Sequence, residues 1–376
     1  MNEILFIYEC RDDYLGGIQG KILMLARCLK ARGNLSPALL TTRADSRFAQ
    51  AFAAMGATVV SSPMRGISGI RGAVEAAERH VELGRCRIIQ SHMFRESIVG
   101  RCLKRKHPSL QHVFRVHTHL DGRIPDLPRR VSFRILDRMT QQYVDRFVPI
   151  SDIVADELHD KSGVSREKIE VVRNGVDAPC DADHSSGGDE PLPATAAIIG
   201  DLMERKQQVT AVRAIGALHA RGLDVRLNII GDDRENMQPA MTRLARELSI
   251  EHLLKFHGYL NTEHLGEVLR DVSIVLLPSL FEGTPTSIIE GMAMRKVVVT
   301  TPVGGTPEFV QDGVNGFLHP PRDDVALAVI LERVLSSPSS NWNVLRDNAY
   351  STWQANFSRD GMIEGLQAVY RDLGVI

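Results

Sequence analysis

An α/β protein of two doubly wound, Rossmann-like domains is predicted, on three observations. The 376 residues exceed what one hydrophobic core organises well. Short β-rich apolar runs alternate with longer helical patterns, as in parallel sheets covered by helices. The alternation breaks once, at the polar stretch APCDADHSSGGDEPLP (178–193), and then restarts. The expected organisation is a first domain over 1–178, a linker over 179–193, a second domain over 194–357 and a closing helix over 358–376, with packing back on the first domain as an option.

Each element follows from its pattern. In the first half the runs ILFIY (4–8), ALLTT (38–42), ATVVS (57–61), RIIQS (87–91), HVFRVH (112–117) and RFVPIS (146–151) read as strands. From Gln19 to Arg32 the spacing of Ile22, Leu25, Ala26 and Leu29 predicts a helix, with Gly33 as its stop. In the second half TAAIIG (195–200), VRLNIIG (225–231), LKFHG (254–258), VSIVLLP (272–278) and KVVVTT (296–301) read as strands, and Met362 to Leu373 as a final helix. No period of 20–50 residues repeats, which argues against a solenoid.

Composition narrows the function classes. Apolar residues at 43% and charged residues at 24% describe a globular chain, and the net charge of −1 points to no polyanionic partner. The charge is nevertheless uneven: residues 1–180 carry 28 Lys+Arg against 20 Asp+Glu, leaving 17 against 26 for the rest. Such asymmetry suggests an anionic surface or partner for the first half. Five cysteines without CxxC spacing suit a reducing compartment, and no apolar run is long enough to span a bilayer. The opening ILFIY lacks a basic flank and runs into Glu9 and Asp12, so it reads as a buried strand and not a signal peptide. A cytoplasmic location is expected, with peripheral contact at the inner membrane face as an option.

Chemistry concentrates in PSLFEGTPTSIIEGMAMRKVVVTTPVGG (278–305). A strand ends at Pro278, a loop carries Glu282 and Gly283, and a helix is expected from about Pro285. Glu282 then lies in the loop and Glu290 about one turn inside the helix. Amides at the helix start, including Thr286 and Ser287, offer a phosphate seat. A strand end, loop and helix N-terminus form the usual ligand crevice of a doubly wound sheet. From spacing alone, two unrelated surface glutamates beside an ordinary cap explain the segment equally well.

This segment resembles the E-x7-E signature of glycosyltransferase family 4, retaining enzymes of the GT-B fold. The resemblance implies two Rossmann-like domains facing each other across a cleft. It places Glu282 against the donor sugar and Glu290 on the ribose. Further matches follow in order: DYLGGIQG, similar to the Gly-Gly loop near the donor diphosphate (Gly16 and Gly17); VFRVH ending in His117, similar to the active-site histidine; VPIS with a following helix; and VVRNGVD. LNIIGDD resembles a G-D-G turn with Asp233 in third place, and Gly304, Gly305, Gly313 and Gly316 fall in turns. GDLMERKQQ is similar to G-R-L-x-x-x-K-G: Lys206 keeps the lysine position, but Asp201 replaces an arginine that grips the diphosphate. An acidic group there repels phosphate, so Arg205 or a basic residue of the first domain compensates, or the diphosphate is held more weakly.

Other features are weighed and set aside. The D-x-D at Asp181 and Asp183 lies in the polar linker, where a solvated loop explains it. His117 and His119 form an H-x-H without a third ligand at metal-site spacing, and no metal is expected. In 128–147, Val131, Ile135, Met139 and Tyr143 form an apolar stripe, with Arg129, Arg130, Arg134 and Arg138 elsewhere. Together with Arg101, Lys104, Arg105 and Lys106 this segment could touch anionic lipid headgroups; a helix packed on its own domain is the alternative. Sparse aromatics do not interleave with these charges, which argues against nucleic acid.

The expected activity is transfer of a sugar from a nucleoside-diphosphate donor to a hydroxyl of a glycan, lipid-linked or small-molecule acceptor, with retention of configuration. It fits bacterial-type glycan, glycolipid or glycoconjugate synthesis. Glu282, His117 and Lys206 carry the reaction, and Gly16, Gly17, Lys206, Thr286, Ser287 and Glu290 hold the donor. No cofactor and no essential divalent metal are expected. A nucleotide-sugar epimerase and a catalytically weak nucleotide-sugar-binding protein are the alternatives.

Overall fold

The structure is a computed structural model that describes residues 3–10, 17–33, 35–117, 127–178 and 190–376, with side chains from 134 onward in the fourth segment. The chain forms two compact units, one of Met1–Gly175 with Asp360–Ile376 and one of Val176–Arg359.

In the first unit the elements run β1 (Glu3–Tyr8), α1 (Gly17–Ala31), β2 (Ser36–Thr41), α2 (Arg47–Ala54), β3 (Thr58–Ser61), α3 (Gly66–His80), β4 (Cys86–Ser91), α4 (Phe94–Lys106), β5 (Gln111–Val116), α5 (Leu127–Thr140), β6 (Arg146–Pro149) and α6 (Asp152–Ser162). Its sheet has the order β3-β2-β1-β4-β5-β6, and every pair is parallel. The second unit runs β7 (Thr195–Ile199), α7 (Gln208–His219), β8 (Arg226–Ile230), α8 (Gln238–Glu247), β9 (Leu254–Gly258), α9 (Thr262–Arg270), β10 (Ile274–Leu277), α10 (Thr286–Ala293), β11 (Val297–Thr300), β12 (Phe317–Leu318), α11 (Asp324–Leu335) and α12 (Asn343–Phe357). Its parallel sheet has the order β12-β11-β10-β7-β8-β9. The closing helix is α13 (Arg359–Asp372).

The strands read as unbroken apolar runs because helices cover both sheet faces. In β10, Ile274 and Leu276 enter one core cluster while Val275 and Leu277 enter another. In β1, Ile4 and Phe6 face one cluster, Leu5 and Ile7 a second. α13 buries Met362, Ile363, Leu366, Val369 and Tyr370 in the same cluster as Ile4, Phe6, Ile88 and Val113. The last helix is thus part of the first unit's core. A two-residue strand such as β12 falls below the length at which periodicity can signal it.

α5 corrects the reading of the basic segment. Ile135 and Met139 are exposed, at 56% and 69%, and Tyr143 is half-buried, so the middle of the stripe is not covered by its own domain. Among the described side chains of α5 the buried one is Asp137, which accepts a 2.7 Å hydrogen bond from Arg101. Arg101 is 1% exposed and also donates to Ser97 Oγ and Thr140 Oγ1, so it cannot touch a headgroup. Lys104 is engaged by Asp145 at 2.9 Å and Lys106 by Glu78 at 2.8 Å. Among the described residues no helix is long and apolar enough to cross a membrane.

Candidate active site

In each sheet the strand order reverses beside the first strand of the unit, between β1 and β4 and between β7 and β10. Loops leaving the carboxyl ends of such strands diverge and open a crevice. The candidate residues stand at these two places.

In the second unit, Lys206 follows β7 and Glu282 follows β10. Their side chains meet, with Lys206 Nζ 2.7 Å from Glu282 Oε1. Ser279 Oγ donates to the same oxygen at 2.7 Å, and an Arg205 guanidinium nitrogen lies 3.8 Å from it. Both partners of the ion pair are largely buried, Lys206 with 12% and Glu282 with 9% of its side chain exposed. The backbone reinforces the junction, since the amide of Leu280 donates to the carbonyl of Arg205 at 2.8 Å. Lysine and glutamate here form one unit, beyond the separate contacts that motif matching assigns them.

Glycine chemistry makes the close approach possible. Gly304 has φ +55°, and a Cβ there would lie 1.6 Å from the carbonyl oxygen of Glu282. The loop after β11 therefore lies directly against the glutamate's backbone, and the Gly305 amide donates to the Gly283 carbonyl at 2.8 Å. Gly231 likewise lets the end of β8 touch Gly200, where a Cβ would be 2.3 Å from the Gly200 oxygen.

α10 starts at Thr286 with Pro285 in the N-cap position, as the sequence predicts. Its first amides, including those of Thr286 and Ser287, lack carbonyl partners within the helix by geometry and face the loop end. Ser287 is buried, and Glu290 is partly buried one turn in. The Thr284 hydroxyl is buried with no hydrogen-bond partner among the described residues, which leaves a polar atom for a ligand to satisfy.

Asp201 is not left facing the site as a bare charge. Its carboxylate is 3.4 Å from Arg234, which also lies 3.4 Å from Asp232. Arg234 was not singled out from sequence; its signal is its place directly after the GDD turn. Arg205, expected as a possible substitute for the missing arginine, donates to the Phe281 carbonyl at 3.4 Å. Asp233 accepts from the amides of Met237 and Gln238 at 2.7 and 3.0 Å, so it ties down the entry to α8.

In the first unit, Gly17 opens α1 with φ +56°, which only glycine adopts readily. Gly16 lies outside the described residues, as do His119, Asp181 and Asp183. His117 is 5% exposed and follows β5 directly. Its Nε2 is 3.2 Å from His92 Nδ1, and the two rings stack with centroids 5.5 Å apart. Burial, the His117 ring and Arg115 together push the His92 pKa well below the ordinary value, so His92 is neutral. Sequence reasoning missed His92, Gln90 and Arg115, because partners from neighbouring strands become visible only through register.

Similarity to known proteins agrees with the fold. Residues 15–178 match the model of Glycosyltransferase Family 4, and residues 193–337 match that of Glycosyl transferases group 1. WcaL of Salmonella typhimurium, assigned to colanic acid biosynthesis as a glycosyltransferase, is 31% identical over 212 residues, 53% of this chain and 51% of that one. That match spans about half the length of this relative. A glycosyltransferase structure from Rickettsia africae superposes with TM-score 0.83 at 18% identity, covering 99% of this chain and 98% of that one. Anabaena Alr3699/HepE in complex with UDP superposes with TM-score 0.80 at 17% identity, covering 98% and 100%. By its two domains, the chain is a family 4-type glycosyltransferase built on the two Rossmann-like units of the GT-B fold.

Proposed function

We propose that this chain transfers a sugar from a nucleoside-diphosphate donor to an acceptor hydroxyl, with retention of anomeric configuration. The observation that carries the reading is the Lys206–Glu282 pair, at 2.7 Å, on the switch-point loops of the second sheet beside the start of α10. When the glycosidic bond breaks, positive charge grows on the sugar and negative charge on the departing diphosphate. Lys206 and the amides of Thr286 and Ser287 stabilise the phosphates where that charge develops. Glu282, held by Ser279 and Lys206, orients the sugar, and Glu290 takes the ribose. His117 acts on the sugar ring, and Gly16 and Gly17, having no side chains, let backbone approach the diphosphate. No nucleophile is assigned, and no metal or cofactor enters the scheme. The HepE structure's complex with UDP supports a nucleotide-linked donor. WcaL's assignment supports an acceptor in polysaccharide synthesis, whether glycan, lipid-linked or small.

The test is thermal protection by UDP-, GDP- and ADP-sugars, followed by product analysis. A donor at ~100 times its dissociation constant adds about 2.7 kcal/mol of stability. A new glycosidic bond with the donor's anomeric configuration is the expected product. Isomerised nucleotide sugar without an acceptor, inversion, or binding without turnover on a panel of hydroxyl acceptors would each overturn the reading.

A further inference from the structure

β1, β4 and β5 turn one face toward α13, and alternation places Phe6, Gln90, His92, Arg115 and His117 on it. Across this buried face runs a connected set of polar groups. The Tyr370 hydroxyl of α13 donates to Gln90 Oε1. Gln90 Nε2 is 3.0 Å from His92 Nε2, and His92 Nδ1 is 3.2 Å from His117 Nε2. All four residues are buried, at 5% exposure or less. The chain begins on the last helix and ends on the residue assigned to the sugar.

We propose that Tyr370 is a positioning residue for His117, acting through Gln90 and His92 to set which ring nitrogen of His117 carries the proton. The proposal rests on the reading of His117 as a sugar contact for its consequence, though not for its geometry.

The direction of the chain follows from donor and acceptor chemistry. With Gln90 Oε1 taken by the phenol, only the amide N–H is left for His92, so His92 Nε2 accepts. A neutral imidazole that accepts at Nε2 donates from Nδ1, and its proton goes to His117 Nε2. His117 then carries its own proton on Nδ1. Arg115 supports the single proton on His92. Its guanidinium is buried on the same face, donates to Asn174 Oδ1 at 3.0 Å and to the Arg173 carbonyl at 3.4 Å, and disfavours a second positive charge nearby. With the Gln90 amide reversed, the phenol oxygen would accept from N–H2 and its own proton would lose the only acceptor it has among the described residues, while every later donor would reverse. Through Gln90 and His92 the phenol thus favours one tautomer of His117 over the other. A side chain distant in sequence biases the proton position of the residue that follows β5.

The experiment uses the full chain labelled with ¹⁵N-histidine, without ligand, at pH 7.5. Long-range ¹H–¹⁵N correlation spectra report the tautomer of each ring, and His92→Gln and His117→Gln assign the two signals by loss. Both rings are expected in the Nδ1–H form. In Tyr370→Phe, His117 is expected to lose that preference and populate the Nε2–H form. Gln90→Leu is the second variant and should do the same, which covers failure of either protein to fold. Turnover of whichever of UDP-, GDP- or ADP-glucose is hydrolysed should fall about three- to tenfold in Tyr370→Phe, with KM little changed. The same substitution in a His117→Ala background should have no further effect. An Nε2–H form of His117 in the wild-type chain, or a tautomer unmoved by both variants, overturns the proposal. Because the tautomer is read without substrate, it can stand if no sugar transfer is found, and fail while transfer is intact.

Discussion

Lys206 Nζ and Glu282 Oε1 are 2.7 Å apart, joining the loops that leave β7 and β10. The pair is mostly removed from solvent, so each side chain depends on the other for a partner. Lys206→Ala is expected to lower transfer about 10- to 200-fold, the value of a charged hydrogen bond of roughly 1.5–3 kcal/mol. It should also lower the melting temperature, since Glu282 keeps only Ser279 as a close donor. Glu282→Ala should mainly reduce kcat and Glu290→Ala mainly raise donor KM. Unchanged kinetics in Lys206→Ala, or the opposite split between the glutamates, would contradict the roles.

Asp201, which the family resemblance aligns with a phosphate-gripping arginine, is paired with Arg234 at 3.4 Å. Both side chains are about a third exposed, so the pair is screened and worth roughly 0.2–1 kcal/mol. Asp201→Asn releases Arg234 and removes a negative charge near the proposed phosphates. Affinity for the nucleoside diphosphate, measured by calorimetry, should rise about 1.5- to 5-fold. A loss of affinity would mean that Asp201 itself supports the ligand.

Two left-handed glycines separate backbone strain from collision. At Gly313, φ is +71° and no atom lies within 4 Å of a built Cβ, so Gly313→Ala pays only the left-handed cost of about 1–2 kcal/mol. At Gly304 the same cost is joined by overlap with the Glu282 carbonyl at 1.6 Å, which only backbone movement can relieve. Gly304→Ala is therefore expected to be the more destabilising in chemical denaturation and to abolish transfer. Equal stabilities for the two variants would show that the Glu282 loop moves freely.

His112 predicts a pH dependence of stability. Burial is the main cause of its pKa falling from 6.5 to about 3, with Arg101 and Lys104 adding to the fall and the Tyr143 carbonyl opposing it. Nδ1 is 3.0 Å from that carbonyl, Nε2 is 2.9 Å from Ser91 Oγ, and Asp145 faces the backbone amide at 2.7 Å. The folded value is below the unfolded one, so the stabilising contribution is complete above pH 6.5 and is lost as pH falls from 6.5 toward 3. Lowering pH from 7.5 to 5.5 should cost about 1.4 kcal/mol through this group. Denaturation of wild type and His112→Gln at the two pH values measures it; the same pH slope in both would refute it.

Much of the fold was legible because parallel strands buried on two faces leave contiguous apolar runs, and helices between them leave a 3.6-residue period. Runs such as IVLL and VVVT need no tertiary information to be read as strands. The placement of Glu282 in a loop and of Thr286, Ser287 and Glu290 in the helix after it was likewise readable, because these elements keep local spacing. Pairings between distant residues were not. Lys206 with Glu282, Arg234 with Asp201 and Arg101 with Asp137 depend on strand order, which puts β7 beside β10 and α5 beside α4. Arg101 could not be separated from the exposed arginines of the basic segment for the same reason: a charge pattern does not say which arginine has a buried carboxylate opposite it.

The sequence by itself determined the alternating elements, the two-domain organisation and the family-type motifs, since these rest on local periodicity and short-range spacing. Tertiary structure alone decided which core residues the last helix meets in the first unit, and that its Tyr370 meets Gln90. It also decided that His92 stacks on His117. Such contacts are set by the order and register of parallel strands, and parallel strands must be joined by crossovers that separate their partners widely along the chain.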